Sequence, residues 1–407
     1  MNRKELKDRY AIVGAAATPT ARSHAPDKSN LMLEAWAAKL AIEDAGLRRS
    51  DINGAVHTMM ASPHPPMEGT DTYSRMLGLR PNFYMTVARG GQTAHNGILL
   101  ATQMLSLGLA DYVLVSCAIT GWSSSHVHRR TDGEIGLKVW PKPDYGLAAT
   151  GWAAAAGAGS IHGMLASRHM HEYGTTHEQL GAVAIAARQW AALNPAARLT
   201  DRPLSMEQYL ASPFVTEPLR TADCCVTSDL GAALVITTAD RARDLAQTAV
   251  YIKGIGVGDQ ARSQWWDKTN YTRFDGGHAK QSAFREAEVS NDDIDVLELY
   301  DCFTTETLIH LEDYGFCAKG EGGAFVESGA IAPGGSLPVN THGGQLAYGY
   351  LFDFPGVLEA VHQLRGSCGG RQVHNARLAL TNGHGGEMLL PQMCSSHATM
   401  VLGSEVG

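Results

Sequence analysis

The feature that most constrains what this 407-residue chain can fold into is that it repeats itself. Arg89-Gly90-Gly91-Gln92-Thr93-Ala94-His95 recurs 253 positions later as His342-Gly343-Gly344-Gln345-Leu346-Ala347-Tyr348. Each copy precedes an apolar segment of helical spacing that leads into a buried-looking strand, Tyr112-Val113-Leu114-Val115 and then Leu378-Ala379-Leu380. Upstream, Ala41-Ile42-Glu43-Asp44-Ala45, Ser50-Asp51-Ile52 and Gly54-Ala55-Val56-His57 are matched by Ala283-Phe284-Arg285-Glu286-Ala287, Asp292-Asp293-Ile294 and Val296-Leu297-Glu298-Leu299. A duplicated strand–helix unit predicts two related halves, with two glycine turns facing each other and an active site at the pseudo-twofold axis.

The rest of the chain follows the same alternation. Ala11-Ile12-Val13-Gly14 has the pattern of a buried strand ending in a glycine turn, followed by a helix over 31–45. A strand over 83–87, a helix over 98–107 and a strand over 112–116 continue in βαβ order, which predicts a largely parallel sheet covered by helices. Residues 121–159, rich in Ser, Ala, Gly and Pro, break the pattern, and so long an excursion is normally functional or an interface. Helical spacing resumes over 161–173 and again after Thr176, which carries Gln179 three residues on as a capping box; Asn194-Pro195 ends that helix. A strand over 232–237 closes the first half and Val250-Tyr251-Ile252-Lys253-Gly254 opens the second. The expected domains are 1–245, with a loop domain inserted over about 120–215, and 246–407.

Composition excludes several classes. A formal charge of −8 argues against a general nucleic-acid binder, so an anionic ligand needs a local cationic patch. Seven cysteines without a CxxC pair fit a reduced, cytoplasmic setting. The charged first ten residues lack a signal-peptide core, and no apolar run reaches the ~20 residues of a membrane span.

Three motifs narrow the class: Met170-His171-Glu172-Tyr173-Gly174-Thr175-Thr176, Asp223-Cys224-Cys225 with Ser228-Asp229, and Asn340-Thr341-His342-Gly343-Gly344 followed by Gly349-Tyr350. With the half-repeat and the insertion, they resemble the thiolase superfamily over nearly the whole chain, in particular its sterol-carrier-type branch of thiolase-like lipid-transfer proteins. The resemblance implies an α/β thiolase fold: five layers, αβαβα, from two duplicated domains plus a loop domain, usually dimeric. Members that run Claisen chemistry carry a nucleophilic Cys in Cys-x-Ser-Gly, a His in Gly-His-Pro and a second Cys in Cys-x-Gly. Here those positions hold Gly91, Gly349-Tyr350-Leu351 and Gly383-His384-Gly385. Acyl-enzyme formation needs a thiolate, and a glycine at 91 supplies none.

The pattern is similar to the thiolase-fold aldolases of steroid side-chain degradation, in which two tyrosines cleave a 3-hydroxyacyl-CoA without a covalent intermediate. Tyr350 stands at the Gly-His-Pro histidine, and Tyr300, in Glu298-Leu299-Tyr300-Asp301-Cys302-Phe303, on the loop that lines the thiolase pocket. Retro-aldol cleavage removes the β-hydroxyl proton and develops enolate charge on the thioester oxygen. A phenol of pKa ~10 is a poor base at neutral pH, so imidazole neighbours are expected to lower it or relay its proton. The resemblance implies Tyr300 and Tyr350 as the acid/base pair in either order. His342 would orient or relay, and His384 or amides near Gly385 would hold the enolate. Gly91, Gly344 and Gly385 are expected to shape the thioester cradle. Arg262, Lys268 and Arg273 are candidates for the CoA phosphates, with Trp265 and Trp266 for adenine or acyl contact.

Other residues have plainer expectations. His95, Cys302, Cys317 and Cys224-Cys225 read as packing, with a displaced nucleophile as the alternative reading of Cys302. His126, His128, Arg129 and Arg130 lack metal-ligand spacing. No metal and no cofactor beyond the coenzyme A of the substrate is expected in this chain. The resemblance further implies a homodimeric core and a separate companion with an OB-fold and a zinc ribbon, completing a heterotetramer. Two rival readings stay open: an atypical thiolase acting on an aromatic or branched 3-ketoacyl-CoA, and a non-catalytic acyl-CoA or sterol carrier.

Overall fold

A computed structural model of the chain describes residues 6–22, 24, 29–57, 69–87, 89–123, 157–259, 271–274, 276–385 and 396–407. Its main strands are β1 (Tyr10–Ala17), β2 (Gly54–His57), β3 (Phe83–Thr86) and β4 (Tyr112–Thr120), then, after a two-stranded ribbon of β5 (Phe214–Thr216) and β6 (Leu219–Arg220), β7 (Asp229–Thr238), β8 (Val250–Asp259), β9 (Val296–Glu298), β10 (Leu378–Gly385) and β11 (Ser396–Gly403). All but the ribbon join one sheet in the order β3-β2-β4-β7-β1-β8-β11-β10-β9.

The order is symmetric about the β1–β8 pair. β2–β4 and β9–β10 are parallel; β4–β7, β7–β1, β10–β11 and β11–β8 are antiparallel. β3, parallel to β2, has as its counterpart a single parallel bridge between Leu297 and Val339. The sheet is therefore mixed rather than largely parallel. Hydrophobic alternation signals strands but not their direction, and the chain between β4 and β7 is long enough to bring β7 back antiparallel.

The alternation of strand side chains builds the layers. Ala11, Val13, Leu114, Ala233 and Val235 face outward onto the helix Asn30–Asp44, while Ile12, Val115, Leu234 and Ile236 face inward. In the second half Leu297, Leu380 and Val401 face outward with Ala283 and Phe284 of the helix Gly277–Ala287, and Val296, Ala379, Met400 and Leu402 face inward. Both inner faces close on the same two helices, Thr93–Ser106 and Phe354–Leu364, whose Ile98, Ala101, Val357 and Val361 are fully buried. The result is five layers, αβαβα, as expected. Two glycines mark the symmetry: a Cβ at Gly14 would collide with the Ala41 carbonyl, and one at Gly254 with that of Ala283, so each half packs a helix backbone against its first strand. The helix His177–Ala192 starts at Thr176 with the capping box to Gln179.

The central helices also correct the register of the repeat. Thr93–Ser106 packs on β4 and β2, and Phe354–Leu364 on their counterparts β10 and β9. The stretch ahead of Phe354, which contains Tyr350, is therefore the topological partner of the first glycine turn. The second Gly-Gly-Gln instead begins an added four-residue helix, Gly344–Ala347. The glycine turns do not form a facing pair: a Cβ at Gly343 would meet Ala191 and one at Gly344 would meet Asp301, whereas Gly91 faces Tyr300 and the end of β10. Among the described residues, no helix is long and apolar enough to cross a membrane.

Candidate active site

The site forms where the two central helices begin. Asp353 binds both starts together: it is the N-cap residue of Phe354–Leu364, and its carboxylate accepts the amides of Ala94 and His95 at 2.9 and 3.0 Å. A carboxylate on a helix N-terminus neutralises the positive end of its dipole. His95 completes the brace, with Nδ1 2.6 Å from Asp353 and Nε2 2.8 Å from the Thr381 hydroxyl. This is the structural role expected of His95.

Above this brace lie the tyrosines. Tyr300 follows β9 on a loop pinned by two asparagines: the Leu299 amide donates to Asn340 Oδ1 (2.7 Å) and the Tyr300 amide to Asn382 Oδ1 (2.6 Å). Its hydroxyl stands 3.3 Å from that of Tyr350, which is half-buried and reaches in from the stretch ahead of the helix Phe354–Leu364. Position 91 explains how the pair fits. A Cβ built on Gly91 would lie 2.5 Å from Tyr300 Cζ and 2.6 Å from Cε2, and would run into the His384 carbonyl. The Tyr300 ring thus takes the volume a side chain at 91 would need. Cysteine at 91 and tyrosine at 300 are mutually exclusive in this backbone.

The phenols are not lowered as expected. Burial pushes Tyr300 well above the ordinary phenol value, reinforced by Cys302 and Tyr350; burial, Cys302 and Cys225 do the same to Tyr350. Both are neutral hydroxyls at physiological pH, able to donate and to pass a proton on, but not standing phenolates.

His384 is buried at the end of β10, its ring 6.1 Å from that of Tyr300 and 4.1 Å from Phe274. Its Nδ1 lies 3.4 Å from His397 Nδ1, and its Nε2 3.6 Å from Glu306 Oε1. Glu306, His162, His310 and His397 form the buried polar wall behind Tyr300, which sequence reasoning missed. Burial lifts Glu306 to about 8, against a hydrogen bond from Cys302, and holds His310 well below the usual imidazole value. These residues come from separate elements, so no local spacing announces them.

The structure does not bring His342 to the tyrosines. Its Nδ1 bonds Glu298 (2.8 Å), and Glu298 also accepts from the Thr341 amide and hydroxyl. Thr341 Oγ1 bonds Glu359 (2.8 Å), which in turn holds Arg371 through two bonds of 2.8 and 2.9 Å. Burial disfavours the imidazolium, but the Glu298 carboxylate outweighs it and raises the His342 value. His342 instead lines a cavity of about 830 Å³, together with Arg22, Arg198, Arg202 and Tyr348. That basic lining was also missed, because its arginines lie up to 180 residues apart. Arg273 is half-exposed and 3.9 Å from Asp313, while Arg262, Lys268, Trp265, Trp266 and the 126–130 cluster lie outside the described residues. Cys224 and Cys225 are half-buried rather than core; burial pushes the Cys224 thiol up to about 12 and raises Cys225 likewise.

Comparison with known proteins follows this geometry. Residues 258–404 match the family model of thiolase C-terminal-like domains. The chain is 34% identical over 365 residues to a steroid side-chain-cleaving aldolase of Thermomonospora curvata, covering 88% of this chain and 90% of that one. It is 33% identical over 383 residues to a 17-hydroxy-3-oxo-4-pregnene-20-carboxyl-CoA lyase of Mycobacterium tuberculosis (89% and 93%). An acetyl-CoA acetyltransferase of Methanothermobacter thermautotrophicus is 34% identical over 359 residues (85% and 88%). Among solved structures, an Ltp2–ChsH2(DUF35) aldolase superposes with a TM-score of 0.84 at 30% identity, over 98% of each chain.

Proposed function

The chain belongs to the thiolase superfamily, in the sterol-carrier-type branch with the steroid side-chain-cleaving aldolases, and from that membership we propose that it is an acyl-CoA lyase. It cleaves a bulky, steroid-like 3-hydroxyacyl-CoA by retro-aldol reaction into a ketone and a short acyl-CoA such as propionyl-CoA. The observation that carries this reading is the pair of phenol oxygens 3.3 Å apart, one ring filling the space of the absent nucleophile.

The chemistry suits neutral phenols. The β-hydroxyl proton passes to one phenol oxygen as that phenol gives its own proton to the second. In the same concerted movement the Cα–Cβ electron pair builds enolate charge on the thioester and the second phenol passes its own proton to Cα as it takes up the new one. One proton enters the relay and one leaves, so no phenolate need persist, and the 3.3 Å hydroxyl contact has to tighten by a few tenths of an ångström on substrate binding for transfer. His384 and the amides near Gly385 are proposed to face the enolate oxygen. Arg22, Arg198 and Arg202 join Arg273 as candidates for the CoA phosphates, and His342 belongs with that cavity rather than with the relay.

A thiolase reading draws on the acetyltransferase relative, but position 91 opposes it. None of the six described cysteines is in a disulfide, which supports a cytoplasmic setting. The likeness to an aldolase solved with ChsH2(DUF35) supports a separate companion protein; its OB-fold and zinc ribbon, the dimeric core and the heterotetramer are carried over from the family resemblance. The test is product analysis with a 3-hydroxy steroid-side-chain acyl-CoA and no free CoA, with and without the companion. A ketone and propionyl-CoA in equal amounts are expected; product formed only from a 3-ketoacyl-CoA plus free CoA would overturn the reading.

A further inference from the structure

Behind Tyr300, two imidazoles and a thiol from three distant segments surround one carboxylate oxygen. His162 Nδ1 is 3.4 Å from Glu306 Oε1, and His384 Nε2 is 3.6 Å from the same atom. His162, Cys302 and Glu306 each offer a ligand atom, all within 4.8 Å of one another. Tetrahedral zinc with bonds of about 2.0–2.3 Å holds its donors roughly 3.3–3.7 Å apart. The His162–Glu306 separation of 3.4 Å already matches, and the thiol, within 4.8 Å of both, has to close in by about 1 Å. We propose that His162, Cys302 and Glu306 form a three-ligand site for a borderline divalent cation such as Zn²⁺, with the fourth position left to water, independent of the aldolase reading.

Three further observations point the same way. Glu306 is fully buried, and its two oxygens have different tasks: Oε2 accepts the Phe303 amide at 3.2 Å, capping the helix Thr304–Asp313, which leaves Oε1 turned to the imidazoles with no hydrogen bond from either. A buried carboxylate oxygen without a hydrogen bond is costly unless something charged meets it. The charges balance as well, since one thiolate and one carboxylate cancel a divalent ion and leave the buried assembly neutral. A second shell is in place too, because His384 Nε2 stands 3.6 Å from Glu306 Oε1 and its ring is held by His397, whose Nδ1 is 3.4 Å from His384 Nδ1. Loading the ion displaces the protons of Cys302 and Glu306 to solvent and involves no redox change.

The test is a titration of the purified full chain with Co²⁺, read by absorption, followed by Zn²⁺ competition and elemental analysis after dialysis. The expected result is one equivalent of cobalt with a thiolate-to-metal charge-transfer band that zinc abolishes. The band should vanish in Cys302→Ser and persist in Cys317→Ser, and His397→Gln should weaken binding about 10-fold as a lost second-shell contact. A wild-type chain that shows no such band and retains no zinc overturns the proposal, whatever the variants do. A band that survives Cys302→Ser overturns it as well.

Discussion

In the first half of the molecule, the turn ahead of the central helix, Gly90–Gln92, contributes backbone and empty space. In the second half, the corresponding stretch contributes Tyr350, the strand β9 leads into Tyr300, and β10 ends in His384. Sheet order, pairing and glycine-mediated helix contact are nearly the same on both sides of β1–β8. The chemistry is not shared out in the same way. Duplication fixed where two helix starts meet, and the loss of a side chain at Gly91 let the second half reach across the axis. An added helix at Gly344–Ala347 sets the two halves further apart in kind; its Gln345 amide donates to Asp301, and it packs against the helix His177–Ala192.

The largest effect should come from the second half. Tyr350→Phe removes one hydroxyl and one contact, so the fold should stand while kcat falls by about 10²–10⁴, the usual range for a lost acid–base group; Tyr300→Phe should match it. A steady-state assay showing either variant within 2-fold of wild type, to order of magnitude, would break the relay. Next comes the empty side of the comparison. Gly91→Ala should displace the Tyr300 ring, abolish most turnover and cost about 1–3 kcal/mol as an overpacking defect. Combining it with Tyr300→Ala should recover part of that stability, and denaturant melts of the four-member cycle would show the coupling.

The His342 network should behave as structure. His342→Gln breaks a buried pair and is expected to cost about 3–5 kcal/mol of stability. Because the Glu298 carboxylate holds the folded imidazole above its ordinary value, the stabilisation it gives is full below pH ~6.5 and fades as pH rises through the raised value. Thermal melts of wild type and variant should therefore converge as the medium becomes more alkaline, and a gap that widens with pH would reverse the sign. The smallest effect is at the cavity. Arg198→Gln should raise KM a few-fold, as uniform binding is lost, and leave kcat alone.

Much of this was legible in the residues. The repeat foretold the two-fold arrangement, and the family resemblance implied the five layers and, with no thiol at 91, the pair of tyrosines at 300 and 350. Strand direction was not legible, because burial alternates in the same way in parallel and antiparallel strands. The Gly-Gly-Gln echo misled in register, since an inserted four-residue helix leaves local sequence similarity intact while moving its place in the fold. Glu306, His162 and the arginines of the cavity were missed because only the tertiary fold brings them together. The upward shift of the phenols was missed for the same reason, since burial outweighs the imidazoles nearby.

The most direct test of the central claim is intact-protein mass spectrometry during turnover of a 3-hydroxy steroid-side-chain acyl-CoA. A non-covalent tyrosine relay predicts ketone and propionyl-CoA accumulating while the protein mass never changes. An acyl adduct that appears during turnover, and maps to Cys302 or another thiol, would contradict it.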